Sequence, residues 1–179
     1  MMNRRQLLGF LPMAFAVPVL ANEPEKAGPA AKRTLGADRR SLLGLLIKTR
    51  EGRPAALADH AGRVLVINLW GPWCVPCRRE MPSLSRLHDH LKGLPVVLLP
   101  VAFDRRGADG VQQFYETNNI TNLPVLTGDG ENLLAVTGKS HLPLTLIADG
   151  EGNWISTVEG EAIWDDAETL GWLAGLAKA

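Results

Sequence analysis

Between Arg63 and Gly71 the chain reads Val64-Leu65-Val66-Ile67-Asn68-Leu69-Trp70, a largely β-branched run with one polar residue. A run of that length and apolarity fits a strand buried on both faces in a parallel sheet, where a half-exposed strand would alternate. Gly71 and Pro72 end it, and the period then changes. From 74 to 91 the apolar residues Met81, Leu84, Leu87 and Leu91 recur every three to four positions, which makes one face of a helix. Gly93 and Pro95 stop that helix, and residues 95–103 read as a second buried strand. The order strand, helix, strand is the unit of an α/β fold, so the expected architecture is a central mixed sheet flanked by helices.

The rest of the chain extends this unit. Residues 108–118 read as a second helix, 124–127 as a short strand, 131–138 as a short helix and 143–148 as another strand. Asp149-Gly150-Glu151-Gly152 turns the chain into 153–158, its antiparallel partner. A last helix over 165–178 starts at Asp165 or Asp166 as N-cap and presents Leu170, Leu173 and Leu176. Upstream, 42–48 and 53–57 flank Arg50-Glu51-Gly52 and suggest a short hairpin. Residues 22–40, rich in Ala, Pro, Glu, Lys and Arg, read as a mobile tether ahead of one domain at 41–179.

Residues 1–21 read as an address. Asn3-Arg4-Arg5 precedes an apolar run from Leu7 to Leu20, and Val19-Leu20-Ala21 offers short residues where signal peptidase inspects them. The run holds Pro12 and Pro18 and is short for a membrane span, so cleavage after Ala21 is expected ahead of an uncleaved anchor. Arg4-Arg5 fits a twin-arginine export signal or an ordinary basic n-region. With 19 Lys and Arg against 19 Asp and Glu, the chain has no broad basic field for nucleic acid.

The chemistry is concentrated in Trp73-Cys74-Val75-Pro76-Cys77, at the junction of strand and helix. Cys74 falls at the helix N-terminus, where unpaired N–H groups and the helix dipole favour a thiolate. Cys77, nearly one turn on, can close a disulfide with it while staying more buried. One thiol attacks a disulfide and the other resolves the mixed disulfide. Zinc would want a second ligand pair, and neither another C-x-x-C nor a His-x-x-x-His is present. A copper-handling protein using the two thiolates is an alternative of another class, with His141 as its candidate third ligand. His88 and His90 read as solvated. Glu80, three residues beyond Cys77, is a candidate proton shuttle, although a solvated position on the helix surface is the first reading of it. Asn68 points to the core as a neutral group and cannot itself accept the proton of Cys77.

The segment 62–82, G-R-V-L-V-I-N-L-W-G-P-W-C-V-P-C-R-R-E-M-P, closely resembles the TlpA-like thiol:disulfide oxidoreductases of the thioredoxin superfamily, which include periplasmic reductases of cytochrome c maturation. The similarity runs from about residue 45 to the C-terminus. It implies a thioredoxin-like fold with an extra β/α insertion at about 104–125. It also implies a cis bond before Pro143 in Leu142-Pro143-Leu144-Thr145, and substrate contact through Trp73, Leu142 and Pro143. Leu144 replaces the hydroxyl residue usual after that proline, and His141 stands where glycine is common. His141 is a candidate for tuning the redox poise, after its plainer reading as a solvated loop residue. The resemblance further implies a periplasmic, monomeric reductase of exported protein disulfides. It would need no cofactor and would be recharged by a membrane electron donor of the DsbD or CcdA type. An oxidase or isomerase is the alternative within the same chemistry.

Overall fold

A computed structural model describes residues 32–35 and 39–178. The leader assigned to 1–21 lies outside the described residues. β3 (Val64–Trp70) and β4 (Val96–Ala102) pair in parallel along their whole length and are joined by α1 (Val75–His90). α2 (Ala108–Thr117), within the stretch 104–125 expected as the insertion, leads to β5 (Leu126–Gly128), parallel to β4. After α3 (Gly130–Thr137) the chain returns as β6 (Leu144–Ala148), antiparallel to β3, and β7 (Trp154–Glu159), antiparallel to β6. α4 (Ala167–Leu176) closes it, capped by Asp166, whose carboxylate accepts the Thr169 N–H. Two N-terminal strands complete the mixed sheet, β1 (Lys32–Leu35) against β7 and β2 (Ile47–Thr49) against β5, in the order β1-β7-β6-β3-β4-β5-β2.

Strand parity divides the core. Val64, Val66 and Trp70 pack with Met81, Leu84 and Leu87 of α1, with Val111 and Tyr115 of α2 and with Leu173 of α4. Leu65, Ile67 and Leu69 pack on the other face with Leu42, Leu45, Leu57 and Leu133. Alternating side chains of one strand therefore serve two helical layers, which is why β3 carries no solvent-facing residue. Asn68 has the parity of Trp70, which turns it toward α1.

Two expectations change. The tether at 22–40 is not structureless throughout, because Lys32–Leu35 adds a strand to the β7 edge; an edge offers main-chain pairing to a segment whatever its apolar pattern. The hairpin over 42–57 shrinks to β2 plus a bridge between Lys48 and Pro54. Pro54 has no N–H to extend the ladder, and Leu57–His60 winds instead into a 3₁₀ turn.

Candidate redox site

β3 ends at Trp70, and Gly71 turns the chain toward α1. A Cβ at Gly71 would stand 2.8 Å from the Trp73 ring and 3.1 Å from the Phe103 carbonyl oxygen. The Trp73 indole is 65% exposed, yet its Nε1 donates to that same carbonyl at 2.8 Å. A large apolar ring is thus pinned at the surface next to the first cysteine. Gly71→Ala is expected to cost roughly 1–3 kcal/mol as an overpacked contact and to displace the indole. A thermal melt checks this, and an unchanged melting temperature would show that the ring yields freely.

Cys74 is the N-cap of α1, with φ −86° and ψ 109°, and its Sγ accepts the Cys77 N–H at 3.3 Å. That N–H and the positive end of the helix favour negative charge on this sulfur over that of Cys77. The two sulfurs are bonded at 2.14 Å, with Cα atoms 5.3 Å apart. Cys74 retains 7% exposure and Cys77 none, so an incoming sulfur has access to only one of them.

Glu80 corrects the surface reading, because it is 2% exposed. Position 80 lies three residues from Cys77 and four from Leu84, on the buried stripe of α1, and this spacing was the signal in the sequence. Its Oε1 accepts the Asn68 Nδ2 at 2.9 Å, and its Oε2 accepts the Ala162 N–H and the Trp164 Nε1, each at 3.2 Å. Burial pushes the carboxyl up to about 7 against the opposing pull of these donors. A carboxyl so placed can hold or release a proton near neutral pH, one helical turn from the sealed thiol.

Ala162, Trp164 and Ser83 are members of this site that sequence reasoning missed, and Asn68, read there as a core-facing neutral group, was missed as the partner of Glu80. Asn68 stands in register with Thr145 and donates to its Oγ1 at 2.9 Å as well. Its Oδ1 has no partner among the described residues. Turned over, the same amide would offer Oδ1 to a protonated Glu80 and to the Thr145 hydroxyl, so one side chain can satisfy both protonation states. Ala162 and Trp164 belong to the β7–α4 loop, far from α1 in sequence. Ser83 Oγ accepts the Trp164 N–H at 3.2 Å and donates to the Glu80 carbonyl at 2.8 Å. Outside, Arg79 forks onto Glu161 at 2.6–3.0 Å and Arg86 pairs with Asp165. The loop is held to α1 on both sides of the buried carboxyl.

The Leu142–Pro143 bond is cis, as the resemblance implied. Pro143 is buried and its carbonyl accepts the Gly160 N–H at 3.1 Å. Leu142 is half-buried and packs on the cluster that holds both cysteines. His141 is exposed, and its Nε2 lies 3.9 Å from Glu159, which also takes Lys139. Its exposure and its carboxylate neighbour agree with the plainer reading as a solvated loop histidine.

A family model described as AhpC/TSA family matches residues 43–157, well over half of the chain. The chain belongs to the AhpC/TSA family. This AhpC/TSA chain is 28% identical over 118 residues to thiol-disulfide oxidoreductase ResA of Bacillus thuringiensis subsp. konkukian (strain 97-27), covering 66% of this chain and 67% of that protein. It is 31% identical over 107 residues to thioredoxin-like protein YneN of Bacillus subtilis (strain 168), covering 59% and 62%. A secreted thiol-disulfide isomerase from Corynebacterium glutamicum has the same fold, with TM-score 0.65 at 20% identity over 82% of this chain and 92% of that one. The AhpC/TSA protein described here is a thiol:disulfide oxidoreductase of thioredoxin-like fold, and the likeness to the TlpA-like branch agrees with these relatives.

Proposed function

We propose that this oxidoreductase works in the periplasm as a reductase, passing two electrons from Cys74 and Cys77 to disulfides of exported proteins. The observation that carries the reading is the asymmetry of the pair: Cys74 caps a helix and can be reached, whereas Cys77 is sealed beside a buried carboxyl. The Cys74 thiolate attacks one substrate sulfur, forming a mixed disulfide and expelling the other as a thiolate that takes a proton from solvent. Cys77 gives its proton to ionised Glu80 and attacks the Cys74 sulfur. The second substrate sulfur leaves as a thiolate that takes a proton from solvent, so the substrate departs as a dithiol, while the protein keeps the Cys74–Cys77 bond and Glu80 returns its proton to solvent. Electrons and protons balance without a bound cofactor. Trp73, Leu142 and Pro143 are the contacts assigned to the substrate chain.

The direction, and a place in cytochrome c maturation, rest on the TlpA-like resemblance, because one fold serves both reductants and oxidants. In an oxidising compartment the pair must be recharged, and a membrane donor of the DsbD or CcdA type is the assigned source, acting on a monomer. Residues 1–21 are assigned as the export signal and 22–40 as the tether. Trapping thiols in intact cells should recover the exported protein with its pair mostly reduced, and titration against glutathione should give a potential nearer to thioredoxin than to DsbA. An oxidised pair at steady state, with a DsbA-like potential, would replace the reductase by an oxidase.

A further inference from the structure

Trp73 also walls an open groove of about 720 Å³ that continues through Phe103 and the β4–α2 loop to Gly128 and Gly130. Its lining follows the C-terminal ends of three neighbouring parallel strands, β3 at Trp70, β4 at Ala102 and β5 at Gly128. Such an edge is where α/β sheets receive ligands. The walls are built to shape. A Cβ at Gly128 would lie 2.9 Å from the Phe103 ring, so glycine keeps that ring in place, and Trp73 is pinned by its hydrogen bond to the Phe103 carbonyl.

Three charges border this groove, and two of them are engaged with each other. Asp104 is wedged against Gly110, where a Cβ would lie 2.6 Å from the carboxylate, and it accepts the Arg106 N–H at 2.7 Å. The Arg106 guanidinium lies 3.8 Å from Asp104 and donates to Gln113. Arg105 is exposed on the same loop, and no carboxylate pairs with it among the described residues. Two aromatic walls and one uncommitted guanidinium suit an extended peptide with an acidic side chain.

We infer that this groove seats the stretch of substrate flanking the attacked cysteine, and that Arg105 selects substrates acidic in that stretch. The inference rests on Cys74 being the attacking thiol: a chain bonded to its sulfur starts beside Trp73, the residue next to Cys74 in sequence, and Trp73 lines the groove.

The test uses three synthetic peptides with a single cysteine blocked as a mixed disulfide with 5-thio-2-nitrobenzoate, flanked on both sides by Asp, Asn or Lys. The reduced protein attacks the peptide sulfur and releases the coloured thiolate, and Cys77 then frees the peptide thiol. The parent is expected to favour the Asp over the Lys peptide by about threefold, the scale of one exposed ion pair. Arg105→Glu should reverse that order, and Arg105→Lys should keep it. An Asp-to-Lys ratio that is the same in parent and Arg105→Glu overturns the inference, as does an equal loss on all three peptides. Failure of the underlying reading looks different: Cys74→Ser would then release the coloured thiolate from every peptide as fast as the parent.

Discussion

Cys77→Ala is expected to accumulate exported proteins covalently bound through Cys74, while Cys74→Ala accumulates none. The attacking sulfur and its helix N-terminus survive the first substitution, so the mixed disulfide still forms. What is lost is a thiol held within bonding distance of the Cys74 sulfur, and resolution must wait for an external thiol. An intramolecular partner so oriented acts at an effective concentration far above any solution thiol, so turnover should fall by about 10³-fold or more. Cys77 is fully buried and alanine fills most of its volume, so the variant should remain folded. Non-reducing gels with mass analysis of the trapped species decide the matter. Adducts formed through Cys77 in Cys74→Ala, with none in the converse variant, would exchange the assigned roles.

Glu80→Gln should change both the chemistry and the pH dependence of stability. With the base for Cys77 removed, reduction of a disulfide substrate near pH 7 should slow by about 10²-fold, and the rate should lose the rising limb centred near pH 7. Stability follows from the same carboxyl. Its folded value of about 7 stands above its ordinary value of 4.5, so between those pH values the folded protein binds a proton that the unfolded chain has lost. Stability is then full below about pH 4.5 and falls as pH rises through 7, by about 3 kcal/mol in all. The Gln variant lacks this term. It should match the parent at pH 4 and exceed it in melting temperature at pH 8, with its amide met by a reversed Asn68. Parallel stability profiles for the two proteins across this range would show that Glu80 is not the buried acid proposed, whatever happens to the rate.

Much of the molecule was legible along the chain because it depends on local pattern. The run Val64–Trp70, apolar on both parities but for Asn68, fitted a doubly buried strand. Gly71-Pro72 broke it, and the stripe through Met81, Leu84 and Leu87 marked the face of α1. Those two elements by themselves placed Cys74 at a helix start. The carboxylate at Asp166 was readable as a cap for the same reason, since capping joins residues three apart.

Residues distant in sequence decided the rest. Whether Glu80 meets water cannot be told from α1 alone, because the cover is Trp164, brought over 84 positions away by the antiparallel return of β7. Asn68 looked inert for proton transfer as a single residue. It becomes the partner of the acid because strand parity aims it at α1 and the β3–β6 register sets Thr145 beside it. The strand at Lys32–Leu35 carried no apolar pattern; main-chain pairing with β7 sets its place. The sequence by itself determined where the cysteines stand, because a strand end and a helix start are local events. Only the tertiary structure decided what surrounds them, since burial, and with it the protonation of Glu80, belongs to whichever distant segments the topology folds over the site.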